Sequence, residues 1–205
     1  MELNPHDLLE IDCKSDLISY SPLPDWVGIS LAKAPYVVVR RVRAEEGLVA
    51  VGVRGPKRNE RFAAFLPVER IVRRITPEQL AQERKWNNYS KEIFRHLEEV
   101  SNLMNKYMLT WGPTGSIGFE LTSGKETVTK KSDIDLIIRT SKEFSKEFFQ
   151  ELESELKIIP AQLDVQVEIT EGAFSLHEYA ASQEKKILLR TMDGPMLKQH
   201  SFPGL

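Results

Sequence analysis

Thr76-Pro77-Glu78-Gln79 divides this chain more sharply than any other feature. A threonine at the N-cap, a proline at the first helical position and a glutamine at the third form a capping-box helix start. Before it, β-branched residues dominate. After it, apolar residues recur at helical spacing, and strand-like and helix-like stretches then alternate. A chain that changes period once in this way predicts a β-rich piece followed by an α/β piece, not a helical bundle or a single β-sandwich.

In the first piece, Tyr36–Val42 and Gly47–Val53 are runs joined by Ala44-Glu45-Glu46-Gly47, the pattern of a hairpin closed by glycine. Phe62–Leu66 and Val68–Ile75 add strand material interrupted at Pro67. Residues 1–75 therefore read as a small β-rich domain. Over 76–107, Ile93, Phe94, Leu97, Val100, Leu103 and Met104 fall on one helical face. That segment reads as a helical connector, with Asn87-Asn88 as its weak point. Residues 108–205 read as the α/β domain, with a first strand drawn back to include Lys106–Trp111. Ile134–Arg139 follows as a strand. A helix opened by Thr140 and Glu143 carries Phe144, Phe148, Phe149, Leu152 and Leu156. Leu163–Ile169 alternates strictly, with Asp164, Gln166 and Glu168 on the polar side. A short helix at Ser175–Ser182 and a strand at Lys186–Thr191 complete it. The expected class is α+β, with a mixed sheet in the second domain.

Charge is balanced overall, with 28 basic and 30 acidic residues and a net of −2. It is not evenly spread. Val37–Arg74 holds ten basic residues against four Glu, a net of +6, so the remainder carries −8. Such a segment is either a solvated sheet face or a surface for phosphates or an acidic protein. A pI of about 6.1 speaks against a basic DNA-binding module. Apolar runs such as Pro35–Val39 fall far short of the roughly 20 residues of a membrane span. The first residues lack a secretory pattern. Lone Cys13 has no disulfide partner, and no Cys/His group has zinc-ligand spacing. The expectation is a soluble, cytoplasmic protein.

Three pieces of the second domain suggest chemistry. Gly112-Pro113-Thr114-Gly115-Ser116 follows a strand, and its small residues let backbone N–H groups and a hydroxyl approach phosphate. In Ser132-Asp133-Ile134-Asp135-Leu136, carboxylates two apart on a strand project to one side. Such a pair repels itself unless a cation joins it, and Mg²⁺ is usually held by one or two carboxylates plus substrate phosphate. A third carboxylate from the alternating strand would complete a two-metal site. Asp164 and Glu168 both suit that role.

Gly-Ser, Asp-x-Asp and a later strand carboxylate resemble the pattern of the nucleotidyltransferase superfamily that includes DNA polymerase β. The resemblance narrows with His6-Asp7-Leu8-Leu9, Trp26-Val27, Val37-Val38-Val39-Arg40-Arg41, and Val51-Gly52-Val53-Arg54-Gly55 with Arg58 and Arg61. It continues through Gly112–Leu121, Ser132–Leu136, and Leu188-Leu189-Arg190-Thr191 with Gly194-Pro195. Together these resemble the malonate decarboxylase holo-acyl-carrier-protein synthases, or phosphoribosyl-dephospho-CoA transferases, over nearly the whole chain.

The resemblance implies a nucleotidyltransferase-like second domain and an enzyme whose donor is 2′-(5″-triphosphoribosyl)-3′-dephospho-CoA. The implied acceptor is a serine of the acyl-carrier subunit of malonate decarboxylase. A phosphodiester forms and pyrophosphate leaves. Asp133 and Asp135 would carry Mg²⁺, in a two-ion arrangement that Mn²⁺ also suits. Asp164 would help hold the metal or accept the serine proton, and Gly115 and Ser116 would hold the donor's outer phosphates. Arg54, Arg58 and Arg61, beside Gly52 and Gly55, are expected at donor phosphate, with Arg40 and Arg41 available to guide an acidic carrier. On this view Gly115→Val harms donor binding more than Ser116→Ala, because a side chain would block the phosphates.

Two alternatives stand beside this reading. One is a nucleotidyltransferase that uses an ordinary nucleotide on another acceptor. The other is a non-catalytic nucleic-acid or protein adaptor of the same fold. Lys130, Lys131 and Arg139 flank the aspartates and could neutralise pyrophosphate. His6, His96, His177 and His200 are scattered and read as surface or packing residues, and the three tryptophans as core or boundary residues.

Overall fold

The computed structural model describes residues 2–57, 59–182 and 186–199. The chain packs as two compact units. The first comprises the segment up to Thr76 with Phe119–Thr127, and the second comprises Pro77–Gly118 with the segment from Val128 onward.

The first unit holds β1 (Leu8–Ile11), α1 (Asp25–Lys33), β2 (Tyr36–Val39), β3 (Leu48–Arg54), β4 (Arg61–Pro67) and β5 (Ile71–Ile75). They form an antiparallel sheet in the order β4-β3-β2-β1-β5. Leu9, Val27, Val37, Val51 and Leu66 are fully buried at its centre. The expected hairpin is β2–β3. The β-rich reading missed α1, which follows Pro24 and presses Val27 and Leu31, four apart on one face, into the core. It also missed β1.

Part of the arginine surplus is spent inside this sheet. Arg73 Nε lies 2.9 Å from Glu10 Oε2, and its guanidinium also donates to the Tyr36 hydroxyl. Arg74 Nε donates to Asp7 Oδ2 at 2.7 Å, and Asn4 N–H donates to the same oxygen at 3.0 Å. Asp7 is wholly buried. A buried carboxylate is tolerable only when paired and hydrogen-bonded. Its main chain serves as well, since the Asp7 carbonyl accepts the N–H of Val39 at 2.8 Å.

The second unit contains α2 (Pro77–Glu83), α3 (Glu92–Lys106), β6 (Thr110–Pro113), the first half of α4 (Gly115–Ser123), β7 (Ile134–Arg139), α5 (Lys146–Leu156), β8 (Leu163–Ile169), β9 (Gly172–Ser175), α6 (Leu176–Ala181), β10 (Lys186–Thr191) and β11 (Gly194–Gln199). Its sheet runs β11-β10-β9-β8-β7-β6. β7 and β8 pair in parallel while their neighbours are antiparallel, so the sheet is mixed, as expected. A parallel pair needs a long crossover, and α5 supplies it. Among the described residues, no helix is long and apolar enough to cross a membrane.

The helical stretch expected as a connector packs from Pro77 onward with the second unit. It is broken by Arg84 in the left-handed region (φ 48°) and by a 3₁₀ turn at Lys85–Asn88. Arg84 and the Trp86 indole N–H both bond Glu98, which folds the break back onto α3. A Cβ on Gly112 would overlap the Pro77 carbonyl, so glycine lets α2 lie against β6. Trp86 and Trp111 are core residues with ring centres 6.3 Å apart. Two boundaries differ from the sequence reading. Helix α3 runs through Lys106, which delays β6. The N-cap of α5 is Ser145, whose hydroxyl accepts the Phe148 N–H at 3.2 Å. Thr140 instead accepts the Lys142 N–H in a local turn.

Replacing Asp7 by alanine leaves the Arg74 guanidinium without its buried partner and should cost about 3–5 kcal/mol. Urea unfolding of D7A against the parent checks this, and a loss below about 1 kcal/mol would remove the pair's structural role.

Candidate active site

Asp133 and Asp135 bracket the first residue of β7. Ile134 between them is fully buried, which turns the two carboxylates away from the core, and both stay half-buried. The Ile134 N–H donates to the Gln162 carbonyl at 2.8 Å. From that rung the parallel register sets Asp135 opposite Asp164 and Arg139 opposite Glu168. Opposite residues on adjacent strands share a face. Asp135 and Asp164 therefore stand together at the strand starts, with Asp133 one step earlier.

Glu168 is occupied elsewhere. Its Oε2 accepts from Arg139 Nε at 2.8 Å, and Arg139 Nη1 donates to Glu78 Oε1 at 2.6 Å. It also lies four residues along β8 from Asp164, about 13 Å at ~3.3 Å per residue. Of the two candidates for the third carboxylate, register therefore favours Asp164. Asp164 is exposed, and neither its carboxylate nor that of Asp133 has a hydrogen-bond or ion-pair partner among the described residues. Arg139 is withdrawn from the role of pyrophosphate neutraliser, because two carboxylates already hold it.

The Gly-Pro-Thr-Gly-Ser stretch forms the end of β6 and the start of α4. Thr114 N–H donates to the Asp135 carbonyl at 2.8 Å, fastening this turn to β7. Gly115 has φ 56°, and a Cβ there would overlap Asp135 Oδ2. Only glycine lets that carboxylate seat itself over the first turn of α4. The sequence reading gave this glycine to phosphate approach. The structure shows that a side chain at Gly115 strikes Asp135 first. Ser116 is buried on α4. Farther along, the buried Glu120 accepts the Thr127 N–H at 2.7 Å and holds the segment after α4 in place.

The donor set is carboxylate oxygen, the kind Mg²⁺ prefers. Among the described residues no three His, Cys, Asp or Glu side chains form a ready-made metal group. One or two carboxylates with substrate phosphate suffice for Mg²⁺, and Asp133 and Asp135 can supply them. On the first unit, Arg54 and Arg61 face each other across the β3–β4 ladder. Arg61 also donates to the Glu60 carbonyl at 3.0 Å. Arg58 lies outside the described residues. Arg40 and Arg41 follow β2 in the same unit.

Comparison with known proteins gives the family. Residues 4–77 match the phosphoribosyl-dephospho-CoA transferase MdcG N-terminal domain, and residues 79–201 match the MdcG C-terminal domain. The chain belongs to the phosphoribosyl-dephospho-CoA transferase family. A Pseudomonas syringae pv. tomato protein of that name is 37% identical over 94% of this chain and 90% of its own length. One from Pseudomonas aeruginosa is 34% identical with the same coverage. One from Klebsiella pneumoniae is 33% identical over 94% of this chain and 93% of its own length. No solved structure matches the chain. The boundary between the two family domains falls where the first strand-rich unit gives way to α2.

Two pairs of variants check the geometry. Gly115→Ala should lower any activity about as far as Asp135→Asn, since it displaces that carboxylate, while Ser116→Ala does less. Equal effects of G115A and S116A would contradict the seating of Asp135. Glu168→Gln should cost about 1–3 kcal/mol of stability by weakening a charge-assisted bond, whereas Asp164→Asn should leave unfolding unchanged. Thermal melts of both read this directly.

Proposed function

We propose that this chain transfers the 2′-(5″-phosphoribosyl)-3′-dephospho-CoA group from its triphosphate precursor to a serine of the malonate decarboxylase acyl-carrier subunit. The observation that carries the reading is Asp135, seated over Gly115 and set in register beside Asp164, within a chain of this family. A small-residue turn at a helix start beside strand carboxylates supports reading the site as a nucleotidyl-transfer centre.

In the reaction the serine oxygen bonds to the α-phosphorus, the bond from that phosphorus to the bridging oxygen breaks, and pyrophosphate leaves with the electron pair. Mg²⁺, when bound, neutralises the phosphate oxygens and steadies attacking and leaving groups. Asp133 and Asp135 would hold it. Asp164, exposed and unpaired, accepts the serine proton. The turn before α4 offers backbone N–H groups to the departing phosphates. Arg54 and Arg61, with Arg58, meet donor phosphate or the acidic carrier. Such chemistry asks mainly for positioning and charge neutralisation, which explains why no Ser-His-Asp set is needed.

Asp133→Asn and Asp135→Asn should each abolish transfer while stability holds or rises slightly, because like-charge repulsion is relieved. Purified protein, donor, Mg²⁺ and apo-carrier are mixed and the carrier is weighed by mass spectrometry. Near-normal transfer by either variant would defeat the metal assignment, and transfer from ATP at the same rate would defeat the donor assignment.

A further inference from the structure

A cleft of about 740 Å³ opens in the second unit, beside the starts of β7 and β8. Its walls come from α3, from the loop before β7 and from the turn before β8. Ile93, Val128, Pro160 and Ala161 make it partly apolar. Ser132 and Gln162 are among its lining residues, and they stand just before the segments that carry the site's aspartates. The wall is held in place. Lys91 Nζ donates to the Val128 carbonyl at 3.2 Å, and the Thr129 and Lys131 N–H groups bond the hydroxyls of Ser132 and Thr129 at 3.0 and 3.2 Å.

His96 marks this cleft as a ligand site. It is 7% exposed and lines the cleft from α3. Among the described residues its imidazole has no hydrogen-bond or ion-pair partner. Its ring nitrogens are not among the buried unpartnered atoms, so they keep solvent contact at the cleft wall and stay available to a polar group of a ligand. Lys130 and Lys131 are exposed at the cleft, and their ammonium groups have no hydrogen-bond or ion-pair partner among the described residues. Glu92, the acidic group of the lining, is paired with Arg95 at 2.9 Å.

We infer that this cleft binds the dephospho-CoA arm of the donor, with His96 bonding a polar atom of the nucleotide and Lys130 and Lys131 meeting its diphosphate. The inference rests on the transferase reading above. The volume suits a cofactor-sized ligand, since such pockets span roughly 300–1,000 Å³, and is too small for a protein domain. Apolar walls take an adenine ring or pantetheine arm, while paired lysines take a diphosphate. The arm bound here would place its ribosyl triphosphate toward the aspartates.

Binding of 3′-dephospho-CoA alone, without metal or carrier, is measured by titration calorimetry at low and high salt. Wild-type protein should bind it, and His96→Ala should weaken binding about 5–10-fold, the loss of one or two hydrogen bonds. Lys130→Glu with Lys131→Glu, on the surface and so independent of any folding defect in H96A, should weaken it roughly 10–100-fold. That loss should shrink at high salt. His96→Gln, which keeps a donor and an acceptor, should recover part of the H96A loss. Transfer to the carrier is measured in parallel on the wild type. Transfer with an affinity unmoved by the lysine pair, or by H96A that remains folded, overturns the cleft and leaves the transferase reading intact. No transfer by folded wild-type protein overturns the reading itself.

Discussion

The Ile134 N–H bonded to the Gln162 carbonyl is the first rung of the β7–β8 pair, and the site depends on it. Parallel pairing starts both strands at the same end of the sheet, so residues near their beginnings share one edge. Here those residues are Asp133, Asp135 and Asp164. A shift of one residue would turn Asp164 to the other face and bring Leu163 or Val165 opposite Asp135. The register resists such a slip because Leu136, Ile137, Ile138 and Val167 are all buried to 1% or less.

The arrangement of the other charges keeps that edge free. Arg139, the strongest cation near the aspartates in sequence, lies at the far end of β7 and is held between Glu78 and Glu168. One pairing removes both the competing carboxylate and the cation that would otherwise quench the site. In the first unit the same economy applies. Arg73 and Arg74 face Glu10 and Asp7 from across the sheet, so charge that looks like a binding surface in composition partly serves the fold.

Glycine at position 115 joins the turn that opens α4 to the strand that carries Asp135. Its positive φ turns the chain into α4, and its missing Cβ leaves room for the Asp135 carboxylate. The two segments are thus mutually dependent: neither turn nor strand could take its place with a larger residue there. The His96 cleft extends the same edge sideways, between α3 and the loop that leads into β7.

The strands with clear alternation, Leu163–Ile169 above all, and the change of period at Thr76-Pro77 were legible in the sequence, because burial of alternate residues leaves a direct trace. So were Asp133 and Asp135, since their side-by-side projection follows from strand geometry alone. Helix α1 was less legible because its short apolar stripe sits among prolines and strand-like runs. Strands β1 and β9 are four residues each, and their pairing partners decide them. The choice of Asp164 over Glu168 was closed to sequence, because both have the same parity on one strand. Only the parallel register and the Arg139 bridge, formed by residues up to 90 apart in sequence, separate them. Local periodicity determined which residues point together, and tertiary pairing decided which of those meet.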